Sequence, residues 1–129
     1  MCIRDSANSM YLTTVKAGEN LDGMENKCVK YDADGNIVLA GAGDEAVGQL
    51  SALLGSNPAG NVACSVVFAG GAFGIAAATI VSGDFLKPDA NGDLIPATAD
   101  GDFYVGRAAD NAVAGDCFEV IVGVGFRGA

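Results

Sequence analysis

Polar and apolar residues alternate in short runs along this chain, and Gly, Asn and Asp cut the runs at close intervals. A period of two predicts β-strands, because successive side chains of an extended chain point to opposite faces. Residues 27–31, Lys-Cys-Val-Lys-Tyr, place Cys28 and Lys30 on one face and Lys27, Val29 and Tyr31 on the other. Asp34-Gly35 then reverses the chain into an apolar run at 36–40, the strongest short-range signal for a hairpin. Further strands are expected at 46–50, at 61–68, whose near-continuous apolarity suggests burial on both faces, and at 85–87, 94–97, 103–108 and 117–122. Gly70-Gly71 is expected to end the first half. The alanines of 72–80 leave a helix as the alternative, but Gly74 and the β-branched pair Thr79-Ile80 favour a strand over 73–76. Pro96 lacks a backbone donor and marks an edge strand or a strand end.

The elements recur. Lys30-Tyr31-Asp32-Ala33-Asp34-Gly35 and Lys87-Pro88-Asp89-Ala90-Asn91-Gly92 share Lys, Asp, Ala and Gly at one constant spacing and pair Asp34 with Asn91, and both run on into apolar segments. Val47-Gly48 matches Val105-Gly106, Ala59-Gly60-Asn61 matches Ala114-Gly115-Asp116, and 62–67 matches 117–122, in the same order. The reading is an all-β barrel or sandwich built from two tandem pseudo-repeats, about 23–71 and 72–125, forming one domain over 23–129. Residues 1–22 are read as a leader and an extended arm. Residues 1–6 look unrelated to the rest of the chain and are set aside as a translation artefact. The arm carries few apolar anchors, Tyr11, Leu12, Val15 and Leu21, and one short strand at 11–16 that is expected to order against something else.

Composition narrows the function. The chain has 129 residues, a formal net charge of −9, 19 glycines and no Trp or His. An acidic chain lacks the basic face that phosphates require, so nucleic acid and anionic membranes are poor partners. No apolar run reaches the length of a transmembrane helix. Without His, neither a Ser-His nor a Cys-His catalytic pair is available. Cys28, Cys64 and Cys117 have no zinc-ligand spacing and are expected as reduced thiols, with a disulfide from Cys28 to Cys64 or Cys117 as the alternative. The spacing of Asp32, Asp34 and Asn36 lacks the Gly and Glu positions of a calcium loop, and Gly41-Ala42-Gly43 lacks the remainder of a phosphate loop. Carboxylates such as Asp44, Glu45, Asp100 and Asp102 lie in loops without an apolar setting to raise their pKa. No enzyme activity, metal or cofactor is expected.

The run Gly83-Asp84-Phe85-Leu86-Lys87-Pro88-Asp89-Ala90-Asn91-Gly92, its apolar continuation to Pro96-Ala97-Thr98, the matching run from Val29 to Gly35 and the closing Ala114-Gly115-Asp116 strand resemble the small head-decoration, or capsid-cement, proteins of tailed bacteriophages. The resemblance implies a β-domain on the outer surface of the virion head, assembled in the host cytoplasm, commonly trimeric and bridging copies of the major capsid protein. It also implies that an N-terminal arm adds a strand to a capsid sheet. On that reading the capsid-contact candidates are Tyr11, Leu12 and Val15 in the arm and Phe126 and Arg127 in the Gly-spaced tail, which otherwise only extends the last strand. The rival class is a β-rich carbohydrate-binding or adhesin-like module, weakened by the absence of Trp and by only 3 Tyr for sugar stacking.

Overall fold

In a computed structural model of the chain, residues 10–21, 24–51, 63–99 and 101–126 are described, with the side chains of all of these except 10–14, 63, 64 and 126. Every regular element among them is a strand: β1 (Met10–Lys16), β2 (Cys28–Tyr31), β3 (Ile37–Leu39), β4 (Gly48–Leu50), β5 (Ala63–Ile75), β6 (Phe85–Pro88), β7 (Leu94–Pro96), β8 (Phe103–Ala108) and β9 (Cys117–Phe126). They form one curled sheet in the order β3-β2-β4-β5-β9-β8-β6-β7, a half-barrel, with β1 added to β5. Residues 73–75 belong to β5, so the strand expectation there holds over the helix.

The duplication is real in space. β2 pairs with β3 and β4, and β4 pairs with β5; β6 pairs with β7 and β8, and β8 pairs with β9. The hairpin turns are superimposable in their bonding. Asp32 Oδ1 accepts from the Asp34 and Asn36 N–H at 2.9 Å each, and Asp89 Oδ1 accepts from those of Asn91 and Asp93 at 2.8 and 3.0 Å. Gly35 and Gly92 have φ of 79° and 80°, and their N–H groups donate to Asp32 O and Asp89 O. Asp34 and Asn91 keep negative φ, so each hairpin is closed by a longer turn ending in a left-handed glycine, not by the two-residue turn that the dipeptides suggest.

Three sequence expectations are corrected by register. The stretch read as a docking arm is a member of the chain's own sheet: β1 pairs with β5 from Met10↔Gly70 to Lys16↔Ala63, and Ala17 and Leu21 beyond it are buried. Gly70-Gly71 does not end a strand. At Gly70, which pairs with both Met10 and Val122, β5 passes from β1 as neighbour to β9 and continues to Ile75. The last match also slips by one residue. Val66, paired with Leu50, corresponds to Val120, paired with Ala108, and both valines are fully buried, whereas Ile121 is exposed. A slip of one inverts every side chain, so the buried face decides the register.

β5 therefore closes the first repeat and opens the second. Its outer half pairs with β9 as β1 pairs with its inner half, and Ala17 and Ala76 make equivalent parallel bridges to Ile37 and Leu94. Each repeat packs the same six positions: Ala17, Leu21, Val29, Ile37, Leu50 and Val66 in a smaller cluster, and Ala76, Ile80, Leu86, Leu94, Ala108 and Val120 within a larger one. Burying side chains of this size stabilises by about 1.5–3 kcal/mol each for the Val, Leu and Ile members.

Candidate interaction surface

Two of the carboxylates that invite a chemical reading, Asp44 and Asp102, are held by backbone N–H groups, and Asp100 lies outside the described residues. Asp44 Oδ2 accepts from Gly41 N–H at 2.7 Å and pairs with Lys30 Nζ at 2.8 Å. In the second repeat, Asp102 Oδ2 accepts from Ala99 N–H at 3.1 Å and pairs with Lys87 Nζ at 3.0 Å. The lysine of the repeated motif thus ties its own strand to the following turn, twice. Asp84 and Asp116 cap Val81 N–H and Val113 N–H in the same way. The Lys30 hydrogen bond, then Gly41 N–H, hold the Asp44 carboxyl below its usual range. Asp32, Asp34 and Asn36 make a turn, and Gly41–Asp44 makes another.

The two repeats meet along a row of three cross-strand neighbours: Cys28 on β2, Gln49 on β4 and Val67 on β5. All three are buried. Gln49 accepts from Cys28 Sγ at 2.8 Å and donates through Nε2 to Asn26 O and Phe73 O, each at 3.0 Å. Over this row sits the second repeat's hairpin: Cys28 N–H donates to Gly92 O at 2.9 Å, and Lys27 Nζ reaches Asp93 Oδ1 at 2.7 Å. Burial, with Asp89 and Asp93 nearby, pushes the Cys28 thiol well above its ordinary pKa. Cys28 is a free thiol as expected, but Cys117 is disulfide-bonded, which corrects the reduced-thiol reading for that residue.

The residues at the corresponding places of the second repeat, Phe85, Arg107 and Ile121, form a second such row across β6, β8 and β9. Here the surface is open: Arg107 is exposed and Ile121 is 56% exposed. Arg107 Nε donates to Gly83 O at 3.1 Å and its guanidinium lies 4.7 Å from the centroid of the Phe85 ring, which in turn meets Tyr104 at 4.5 Å. Exposed Phe103 and Val124, with Tyr104, Gly125, Ala46 and Val47, line an adjoining groove. Clusters of Arg with Tyr and Phe are the composition of energetically dominant interface residues.

The contact candidates read from sequence lie elsewhere. Val15 is half-buried and packs against the smaller core cluster. Tyr11 and Leu12 stand on β1, and Phe126 ends β9, which extends the last strand as the tail reading allowed; their side chains and Arg127 lie outside the described residues. The row of Phe85, Arg107 and Ile121 was missed because it joins three strands through register. The adjacent aromatic pair Phe103-Tyr104, directly after a Gly-Asp turn, is the one local signal that could have pointed there.

No family model matches the chain, and no curated protein matches it. Among solved structures, it is similar to the crystal structure of the head fiber gp8.5 N base in bacteriophage phi29, with a TM-score of 0.65 and 18% sequence identity over 89% of this chain and 95% of that one. At that identity the likeness is one of fold.

Proposed function

We propose that this chain is a structural protein of a tailed-phage head, a decoration or cement protein that binds the outer surface of the mature shell and braces contacts between major capsid proteins. The observation that carries the reading is the whole-length likeness of fold to a protein of a phage head. The carboxylate turns support adhesion over catalysis, since Asp32, Asp44, Asp89 and Asp102 are spent on backbone N–H groups. One edge of β1 is taken by β5, and among the described residues the other has no strand partner. A capsid strand added there would gain backbone hydrogen bonds for affinity, with Tyr11 and Leu12 on the receiving strand. A trimer would multiply modest contacts by raising the effective concentration of each arm.

The test is saturation of expanded, undecorated heads with purified protein. Binding at a fixed number of copies per capsomer, with heads that then resist heat or chelation better, is expected; no binding to heads, with binding to glycans instead, selects the carbohydrate-binding class. The likeness to a fiber base favours a second reading, in which the domain seats an appendage on the head. Binding at few sites without any gain in head stability would select it.

A further inference from the structure

The chain contains one complete copy of an interface and the two unmatched halves of another. The complete copy is the seam between repeats. On its receiving side are Cys28, Gln49 and Val67; on its inserting side is the 89–93 hairpin turn, with Gly92 buried against Leu39 and Ala40. The receiving row recurs in the second repeat as Phe85, Arg107 and Ile121, with Arg107 and Ile121 exposed. The inserting turn recurs in the first repeat at 32–36, where Ala33, Asp34 and Gly35 are exposed and the space beside Gly35 is empty to 4 Å.

We propose that the row of Phe85, Arg107 and Ile121 receives the 32–36 turn of a second copy of this chain, so that the seam inside each molecule is repeated between molecules. The ion pair of the internal seam is not repeated in place: inside the chain Lys27 meets Asp93, and the corresponding positions hold Asp84 and Asn36. Between copies the charges offered are Arg107, at the place of Gln49 on the receiving side, and Asp34, at the place of the exposed Asn91 on the turn, with Asp32 behind it. The chemistry of the receiving row changes accordingly, from a buried Cys, Gln and Val to a Phe, an Arg and an Ile, in which the guanidinium keeps the uncovered row hydrated and the Phe and Ile supply apolar surface to bury. Such a contact is head-to-tail: it closes into a ring when the rotation between copies divides a full turn, and runs on as a filament when it does not.

Sedimentation velocity of the purified chain, with no heads present, tests this independently of any capsid role. The wild-type protein is expected to gain mass with concentration. Arg107→Glu, Ile121→Asp and Asp34→Arg are each expected to lose that gain while keeping the wild-type circular dichroism. Mixing Arg107→Glu with Asp34→Arg gives opposite charges at every contact, native at one and exchanged at the next, so the mixture is expected to regain the association that each variant lacks alone. The double variant Asp34→Arg/Arg107→Glu, with the charges exchanged, is expected to regain association. A wild-type chain that stays monomeric at every concentration, association that survives both Arg107→Glu and Ile121→Asp, or single variants that fail to associate on mixing would each overturn the proposal.

Discussion

At Gly35 and Gly92 one backbone demand meets two different surroundings. Both residues are left-handed, a conformation that costs an L-residue about 1 kcal/mol, so alanine is strained at either position. A Cβ at Gly35 meets nothing within 4 Å, whereas at Gly92 it lies 2.7 Å from Leu39 Cδ1 and 3.3 Å from Ala40 O. Gly92→Ala is therefore expected to destabilise by a further ~1–3 kcal/mol over Gly35→Ala in urea denaturation. Asp44 carries an ionisation that bears on stability. Lys30 and Gly41 N–H hold its folded-state pKa below the unfolded value, so its contribution is complete above the unfolded carboxylate pKa and is lost as pH falls through the folded one. A denaturation midpoint that drops on acidification across that window, less steeply in Asp44→Asn, is the expected result. Turn chemistry of this kind was legible in sequence, because Asp, Gly and the N–H groups they serve are near neighbours in the chain. The conformation of the turn was not: Asp34-Gly35 announces a reversal but leaves open which residues take the left-handed place, and the Asp32 carboxylate settles that by holding two N–H groups at once.

Among the elements, β2, β3, β6 and β7 could be read from alternation and turns, whereas β1 could not be placed. Its strand character was visible at 11–16, but its partner lies some fifty residues further on, and nothing local to Tyr11 or Val15 tells a strand destined for β5 from one destined for another protein. The same limit hid the row of Phe85, Arg107 and Ile121, which exists only once β6, β8 and β9 are in register. Gly70-Gly71 misled for the opposite reason. Two glycines usually mark a break, yet here they allow one strand to change neighbours. Between repeats, the element contact of most consequence is Gln49, which holds Asn26 O, Phe73 O and the Cys28 thiol together out of water. Gln49→Ala leaves these groups without their partner and is expected to destabilise by about 3 kcal/mol in equilibrium unfolding.

For the whole molecule, the decisive feature is that β5, 13 residues long, serves both repeats. Stacked-repeat proteins commonly come apart piece by piece, since each unit touches only its neighbours. That route is closed here. Losing the first repeat strips β1 and β4 from the same strand on which β9 depends, and losing the second removes β9 and uncovers Gln49. Scanning calorimetry is expected to show a single transition whose calorimetric and van't Hoff enthalpies agree. Evolution by doubling has thus left two ancestral halves that cannot be inherited apart: a nick or a splice anywhere along the shared strand cripples both.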